Sequence, residues 1–181
     1  MSELWNQIVE SRLCTKKGII CFILFFNSYL IFKLKPIDVN FGNLKRQITC
    51  ITIDPTDKFA YFGTKSGDIL EIDLKNAIYK RIGPIKRLFS QGINVLKMLP
   101  NNDILVGTGD GVLAKVGYSD MIVKTETKLL GAITSITLTA DSSYFFCGTA
   151  ESNMYWCESS TLNSEIRNTC HYDRINDVAF A

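Results

Sequence analysis

The stretch Ile48-Thr-Cys-Ile-Thr-Ile-Asp-Pro-Thr-Asp-Lys-Phe-Ala-Tyr-Phe-Gly63 decides the fold. It runs from an alternating β-branched segment, through a polar turn, into a second apolar segment that closes on Gly-Thr. The same grammar returns from Ile93 to Gly107 and from Ile133 to Gly148. Gly63 and Gly107 lie 44 residues apart, and Gly107 and Gly148 lie 41 apart. A period of roughly 40–45 residues with several short strands per unit is what one blade of a β-propeller requires. Another copy begins at Ile175.

Working outward, each unit reads as four strands. In the first, Ile48 to Ile53 suits an inner strand covered on both faces. Asp54-Pro55-Thr56-Asp57 turns the chain, with Pro fixing φ and Asp able to accept from nearby amides. Phe59 to Gly63 is the second strand. Ile69 to Leu74 is the third, and its alternation of apolar residues with acids predicts one core face and one more exposed face. Ile78 to Ile82 completes the unit. Ile93–Leu99, Ile104–Gly107 and Val112–Val116 repeat the order, as do Ile133–Leu138, Tyr144–Gly148 and Asn153–Cys157.

The reading is all-β: a partial WD40-type propeller of about three four-stranded blades plus the start of a fourth. The blades fall at about 47–85, 92–128 and 132–169, with the next starting at 175, inside a propeller region of 40–181. Gly63, Gly67, Gly107, Gly111 and Gly148 are assigned as structural turn positions, because tight hairpins call for φ > 0. His171 stands four residues before Ile175, where a Gly-His pair precedes an inner strand in WD40 repeats, and is read as a structural turn residue. The signature is eroded: no Trp-Asp pair closes a third strand, and Ile72-Asp73, Val116-Gly117 and Trp156-Cys157 stand there instead.

Residues 1–39 have a different texture and are expected to lie outside the propeller. Gly18 to Phe32 is almost wholly apolar and carries no charge. It follows Lys16-Lys17 as a signal peptide would, but no small-residue cleavage site follows. At 15 residues it falls short of the about 20 that span a bilayer. A segment foreign to the domain, a membrane-associated segment and a native buried element are the readings left open, the first preferred.

Net charge is +2 over 181 residues, with basic residues dispersed, so a nucleic-acid footprint is not expected. None of the six cysteines forms a Cys-x-x-Cys pair, and Cys50 and Cys147 fall in strand patterns as small buried hydrophobes. Reduced thiols in an intracellular compartment are the expectation. Cys170-His171 has no further ligands nearby, so no metal site is assigned. Gly107-Thr-Gly-Asp-Gly111 lacks the third glycine of the dinucleotide fingerprint, since Val112 stands there, and a strand pattern follows it. With His171 as the single histidine, no catalytic constellation can be assembled. No catalytic, cofactor-binding or metal-ligating residue, no cofactor and no small-molecule substrate is assigned.

Leu44-Lys45-Arg46, Tyr61-Phe-Gly-Thr64, Ser66-Gly-Asp-Ile-Leu70, Gly83-Pro84, Leu105-Val-Gly107, Ile133-Thr-Ser-Ile-Thr-Leu138, Glu151-Ser152 and Thr169-Cys-His171 carry a resemblance. From about Asn40 to Ala181 the chain resembles the WD-repeat cilia- and flagella-associated proteins of motile axonemes. The likeness excludes Met1 to Lys35. It implies a non-enzymatic component of the doublet-microtubule lumen, in contact with tubulin and other luminal proteins, in the axoneme of a cilium or flagellum. A soluble cytoplasmic WD40 adaptor and a membrane-anchored protein are the alternatives.

Overall fold

Alternating β-branched runs broken by Pro, Gly, Asn and Asp turns favour antiparallel meanders, because each strand can pair with the one before it through a short loop. The computed structural model describes residues 19–20, 37–38, 44–85, 88–168 and 173–179. The first meander is β3 (Ile48–Ile53), β4 (Phe59–Thr64), β5 (Ile69–Asp73) and β6 (Ile78–Gly83). The second is β7 (Ile93–Met98), β8 (Ile104–Thr108), β9 (Val112–Val116) and β10 (Val123–Lys128). The third is β11 (Ile133–Leu138), β12 (Tyr144–Thr149), β13 (Met154–Glu158) and β14 (Ser164–Asn168). A separate two-stranded pair joins β1 (Ile19–Ile20) to β2 (Ile37–Asp38), with Ile20 opposite Ile37. No helix occurs among the described residues, as the all-β reading requires. Cys170, His171 and most of the apolar stretch before Lys33 lie outside the described residues.

Strand order within each sheet follows the sequence, and the sheets stack face to face through their inner strands β3, β7 and β11. One apolar cluster fills the seam between the first and second blades, built on Tyr61, Ile69, Ile93, Ile104, Val106 and Met121. Another fills the seam between the second and third, built on Leu105, Leu113, Ile133, Phe145, Cys147 and Tyr155. Burial drives this stacking at about 25 cal/mol per Å² of apolar surface.

Three glycine assignments need correction. Gly63, Gly107 and Gly148 are not turn residues; each lies inside the second strand of its blade. A Cβ on them would come within 2.7, 2.5 and 2.7 Å of the Cγ2 atoms of Ile93, Ile133 and Ile175. Glycine stands there because the next inner segment packs directly on the backbone. Gly67 and Gly111 do occupy turns, with φ of 86° and 84°.

Left-handed turns are more regular than the glycines suggest. Each blade has three: Asp57, Asn102 and Ser142 after the first strand, Gly67, Gly111 and Ser152 after the second, Ala77, Met121 and Leu162 after the third. Seven of these nine residues are not glycine, so composition alone hides the pattern. Asp, Asn and Ser tolerate this region through local hydrogen bonds. Met121 and Leu162 have no such help, and their burial in the seams offsets the backbone cost.

Two burial expectations also change. The third strand of the first blade is buried on both faces from Ile69 to Ile72, Glu71 included. It is the fourth strands, β6 and β10, that alternate between half-buried and exposed, because they form the outer rim. The inner strand β3 is only half-buried rather than covered on both faces. Ile175 forms no ladder, yet its amide donates to the Thr149 carbonyl (3.2 Å) and it packs on Gly148, where Ile93 and Ile133 sit in their own seams.

Candidate functional site

The chemistry of this chain is concentrated in how one blade grips the next. Every inner strand carries a bulge directly after its first isoleucine: register slips between Ile48 and Cys50, Ile93 and Val95, and Ile133 and Ser135. A bulge leaves one residue out of the ladder and re-aims it. Those residues are Thr49, Asn94 and Thr134, and each donates to the carbonyl of the next unit's first isoleucine: Ile93, Ile133 and Ile175. The single hydroxyl proton of Thr49 and of Thr134 is shared with a second carbonyl, that of Gly63 and of Gly148 in their own blades, each at 3.0 Å. One hydroxyl therefore closes a backbone gap on both sides of the seam.

The Gly-Thr ending has a second half. Thr64, Thr108 and Thr149 are fully buried, and their hydroxyls accept from the amides of Asp68, Val112 and Asn153 across the hairpin. The residues after them, Lys65, Gly109 and Ala150, donate to Gln47, Gly92 and Ala132 at 2.9, 3.1 and 2.8 Å. Glycine lets the neighbour approach and threonine staples the turn beyond it. Sequence reasoning saw the pair and missed this division of labour; the signal available was a polar residue straight after each unit's first isoleucine.

A cation clamps the outer part of each seam. Arg81 pairs with buried Glu71 and donates onward to the carbonyls of Tyr118 and Ser119 in the second blade. Buried Lys115 has the equivalent role at the following seam, donating to Ser159 (3.1 Å) and Ser160 (2.6 Å) of the third blade. Arg46–Asp68 (2.7 Å) and Lys124–Asp103 (2.6 Å) brace single blades, each placing a buried carboxylate against a basic group. The Tyr61 hydroxyl is buried beside Glu71 and Arg81, with no hydrogen-bond partner among the described residues. Burial foremost, then the Glu71 charge, pushes its ionisation up. Tyr61→Phe is therefore expected to leave stability unchanged or raise it by up to about 1 kcal/mol. A clear fall in the urea midpoint would contradict this.

A cavity of about 570 Å³ opens between the second and third blades, lined in part by Lys115, Asp141 and Glu158. Its charges are already engaged: Lys115 with the two carbonyls, Asp141 with Thr139 and Ser143, Glu158 with Ser160 and Thr161. Among the described residues, no group of three or more His, Cys, Asp or Glu could hold a metal ion. Cys50 and Cys157 are pushed up to about 12 by burial, which leaves little thiolate for nucleophilic work.

The Gly107–Gly111 loop is the hairpin between β8 and β9. Burial raises the Asp110 carboxyl, but the hydroxyls of Thr108 and Ser90 and the Lys128 ammonium outweigh it and bring it to about 2. A folded value below the unfolded 3.8 contributes stability above about pH 4, and that contribution is lost as pH falls toward 2. Asp110→Asn should accordingly flatten the acid limb of the stability profile in that window, as read by urea midpoints at stepped pH. An unchanged slope would remove Asp110 from the account.

Surface available to a partner lies on the outer rim of the first seam. The Ile85 amide donates to the Met121 carbonyl (2.8 Å), which sets Ile85 beside Ile122, while Arg81 ties Tyr118 to the same rim. Ile85, Ile122 and Tyr118 are all exposed. Clustered exposed apolar groups within a polar surround are a common mark of an interaction site.

No family model matches the chain. The crystal structure of RRP9 WD40 repeats superposes with a TM-score of 0.69 at 9% identity, over 76% of this chain and 43% of that one. The structure of U3-55K gives 0.69 at 9%, over 76% and 44%. The fold is that of WD40 propeller blades. In sequence, cilia- and flagella-associated protein 52 of Chlamydomonas reinhardtii is 41% identical over 151 residues, 82% of this chain and 24% of the relative. The chain resembles cilia- and flagella-associated protein 52. The Homo sapiens protein of that name is 34% identical over 151 residues and the Mus musculus protein 33% over 148, with the same 82% and 24% coverage. This chain thus spans about a quarter of the length of the curated relatives it matches.

Proposed function

We propose that this chain contributes to a non-catalytic WD-repeat scaffold of motile cilia and flagella. In this reading it is a microtubule inner protein that stabilises axonemal doublet microtubules and so supports motility, resident in the cytoskeleton of the axoneme. The observation that carries the reading is the 41% identity to cilia- and flagella-associated protein 52 across 82% of the chain. The engagement of polar groups at the seams supports a holding role rather than a chemical one. Threonine, asparagine and basic side chains there are committed to backbone carbonyls, which stiffens a stack of sheets and leaves the rims to contact other proteins. Tubulin and other luminal proteins are the proposed partners, and the rim at Ile85, Tyr118 and Ile122 is the surface we assign to them. Among the described residues no helix is long and apolar enough to cross a membrane.

The test is location and extraction. A tagged form expressed in ciliated cells should co-purify with axonemes and stay with them through detergent and salt washes. Release with the soluble matrix would favour the cytoplasmic adaptor, and recovery with membranes would favour an anchored protein; either defeats the proposal. Ile85→Asp with Ile122→Asp should reduce axonemal retention while leaving the thermal midpoint near that of the parent, since both side chains are exposed.

A further inference from the structure

Phe59, Asp103 and Tyr144 hold the same place in their blades, four residues before the glycine of the second strand. In two of the blades a lysine of that blade sits over it. Lys80 Nζ lies 4.6 Å from the centre of the Phe59 ring, and Lys124 pairs with Asp103 at 2.6 Å. Both lysines arise in the same way. β6 slips register between the partners of Glu71 and Ile72, and β10 between those of Lys115 and Val116, so Lys80 and Lys124 are the extra residues of matching bulges.

The third blade lacks this lysine. Trp156 and Cys157, the matching residues of β13, pair with the consecutive residues Glu165 and Ser164, so nothing is inserted between them. The bulge of β14 falls further along, opposite Met154 and Tyr155, and its extra residue Arg167 pairs with Glu165 (3.1 Å). Tyr144 is left 41% exposed, with no cation over its ring among the described residues. Trp156 stacks on it with ring centres 5.0 Å apart, which holds the ring in place.

The other half of the lysine's seat is present. In the first blade Phe59 stands opposite Asp73, so Lys80 has a ring and a carboxylate beside it. In the third, Tyr144 stands opposite Glu158. The Glu158 carboxylate accepts from the Ser160 and Thr161 hydroxyls at 2.7 and 2.6 Å, which fixes it and leaves lone pairs for a further donor. Both residues border the cavity of about 570 Å³, so a guest has room.

We propose that Tyr144 and Glu158 receive a basic side chain from a partner protein, in the place that Lys80 and Lys124 fill from within their own blades. The ring attracts the cation through its quadrupole and the carboxylate through its charge. The place lies at the rim: the Lys124 side chain is 45% exposed although the third blade follows it. A blade packed after the third would therefore leave the site open. This surface is distinct from the rim at Ile85, Tyr118 and Ile122, and its chemistry is the same wherever the protein resides.

The test titrates the full, isotope-labelled chain with three blocked tripeptides: glycine-lysine-glycine, the same peptide acetylated on the lysine, and glycine-glutamate-glycine. The lysine peptide should shift the amide signals of Tyr144 and Glu158 and the indole N–H of Trp156 in a saturable way, and the other two should not. Glu158→Gln with Tyr144→Leu should weaken that binding by about tenfold or more. Lys80→Ala is a second measurement, independent of those variants. It should open a like site, seen as new lysine-peptide shifts at Phe59 and Asp73. Saturable shifts from the glutamate peptide would assign the surface to an acidic guest, and an equal response to the acetylated peptide would make charge irrelevant. Either overturns the proposal. So would the absence of saturable shifts, binding that survives the double substitution, or a Lys80→Ala protein that gains no site.

Discussion

Gly67→Ala is expected to lower stability by about 3–5 kcal/mol, one of the two largest effects of a point change in this chain. Two costs coincide. At φ of 86° an alanine enters a region that L-residues avoid, and its Cβ would fall well inside the van der Waals contact of the Phe89 carbonyl oxygen. That oxygen belongs to the segment leading into the second blade and is held by backbone bonds, Gly92 donating to Phe89 and Phe89 to Gly67 (3.3 and 3.0 Å). Neither partner can step aside without opening the seam. The third blade supplies the control, for Ser152 occupies the same turn at φ of 63°. Ser152→Gly should change stability by no more than about 0.5 kcal/mol, since relief of the left-handed cost is offset by added chain freedom. Urea midpoints on the three proteins decide it. A Gly67→Ala protein as stable as its parent would mean the turn relaxes and the close approach is not a constraint.

Arg81→Ala is the second. Glu71 is buried and its carboxylate depends on Arg81, which also holds the Tyr118 and Ser119 carbonyls of the next blade. Removing one partner of a buried pair costs about 3–5 kcal/mol. Because the Arg81 side chain is 37% exposed, solvent screening should trim that to about 2–3 kcal/mol. The loss has two components that a cycle can separate. Adding Glu71→Gln removes the stranded charge and should restore about half of the loss, while the seam contacts to Tyr118 and Ser119 stay broken. If the double variant is no more stable than Arg81→Ala alone, the stranded carboxylate is not the source of the penalty and the inter-blade contacts carry it all.

Much of the fold was legible from residue order. The repeat, the strands within each unit and the turns between them depend on interactions a few residues apart, so the alternation around Ile48–Ile53 and Tyr144–Gly148 reports them directly. Where the reading went astray, the cause lay beyond the local stretch. Gly63, Gly107 and Gly148 look like turn glycines because they close strands, yet they are small because a residue roughly 30 positions on lies against them. The acids of the third strand look solvent-facing because they alternate, yet Glu71 is buried by the blade that follows it and by Arg81. Turn residues such as Met121 and Leu162 carry no local mark of a left-handed backbone, since what holds them there is burial in a seam.

The division follows from distance along the chain. Periodicity, turn chemistry and strand length are properties of neighbours, so the amino-acid order by itself determined that this is a run of four-stranded units about 40 residues long. Which side chains join one unit to the next is a property of the stack. Thr49 reaching Ile93, Arg81 reaching Ser119 and Lys115 reaching Ser160 each span 38 to 45 positions. Only the assembled sheets bring such pairs into contact, because a bulge or a clamp has a direction in space that no local pattern encodes.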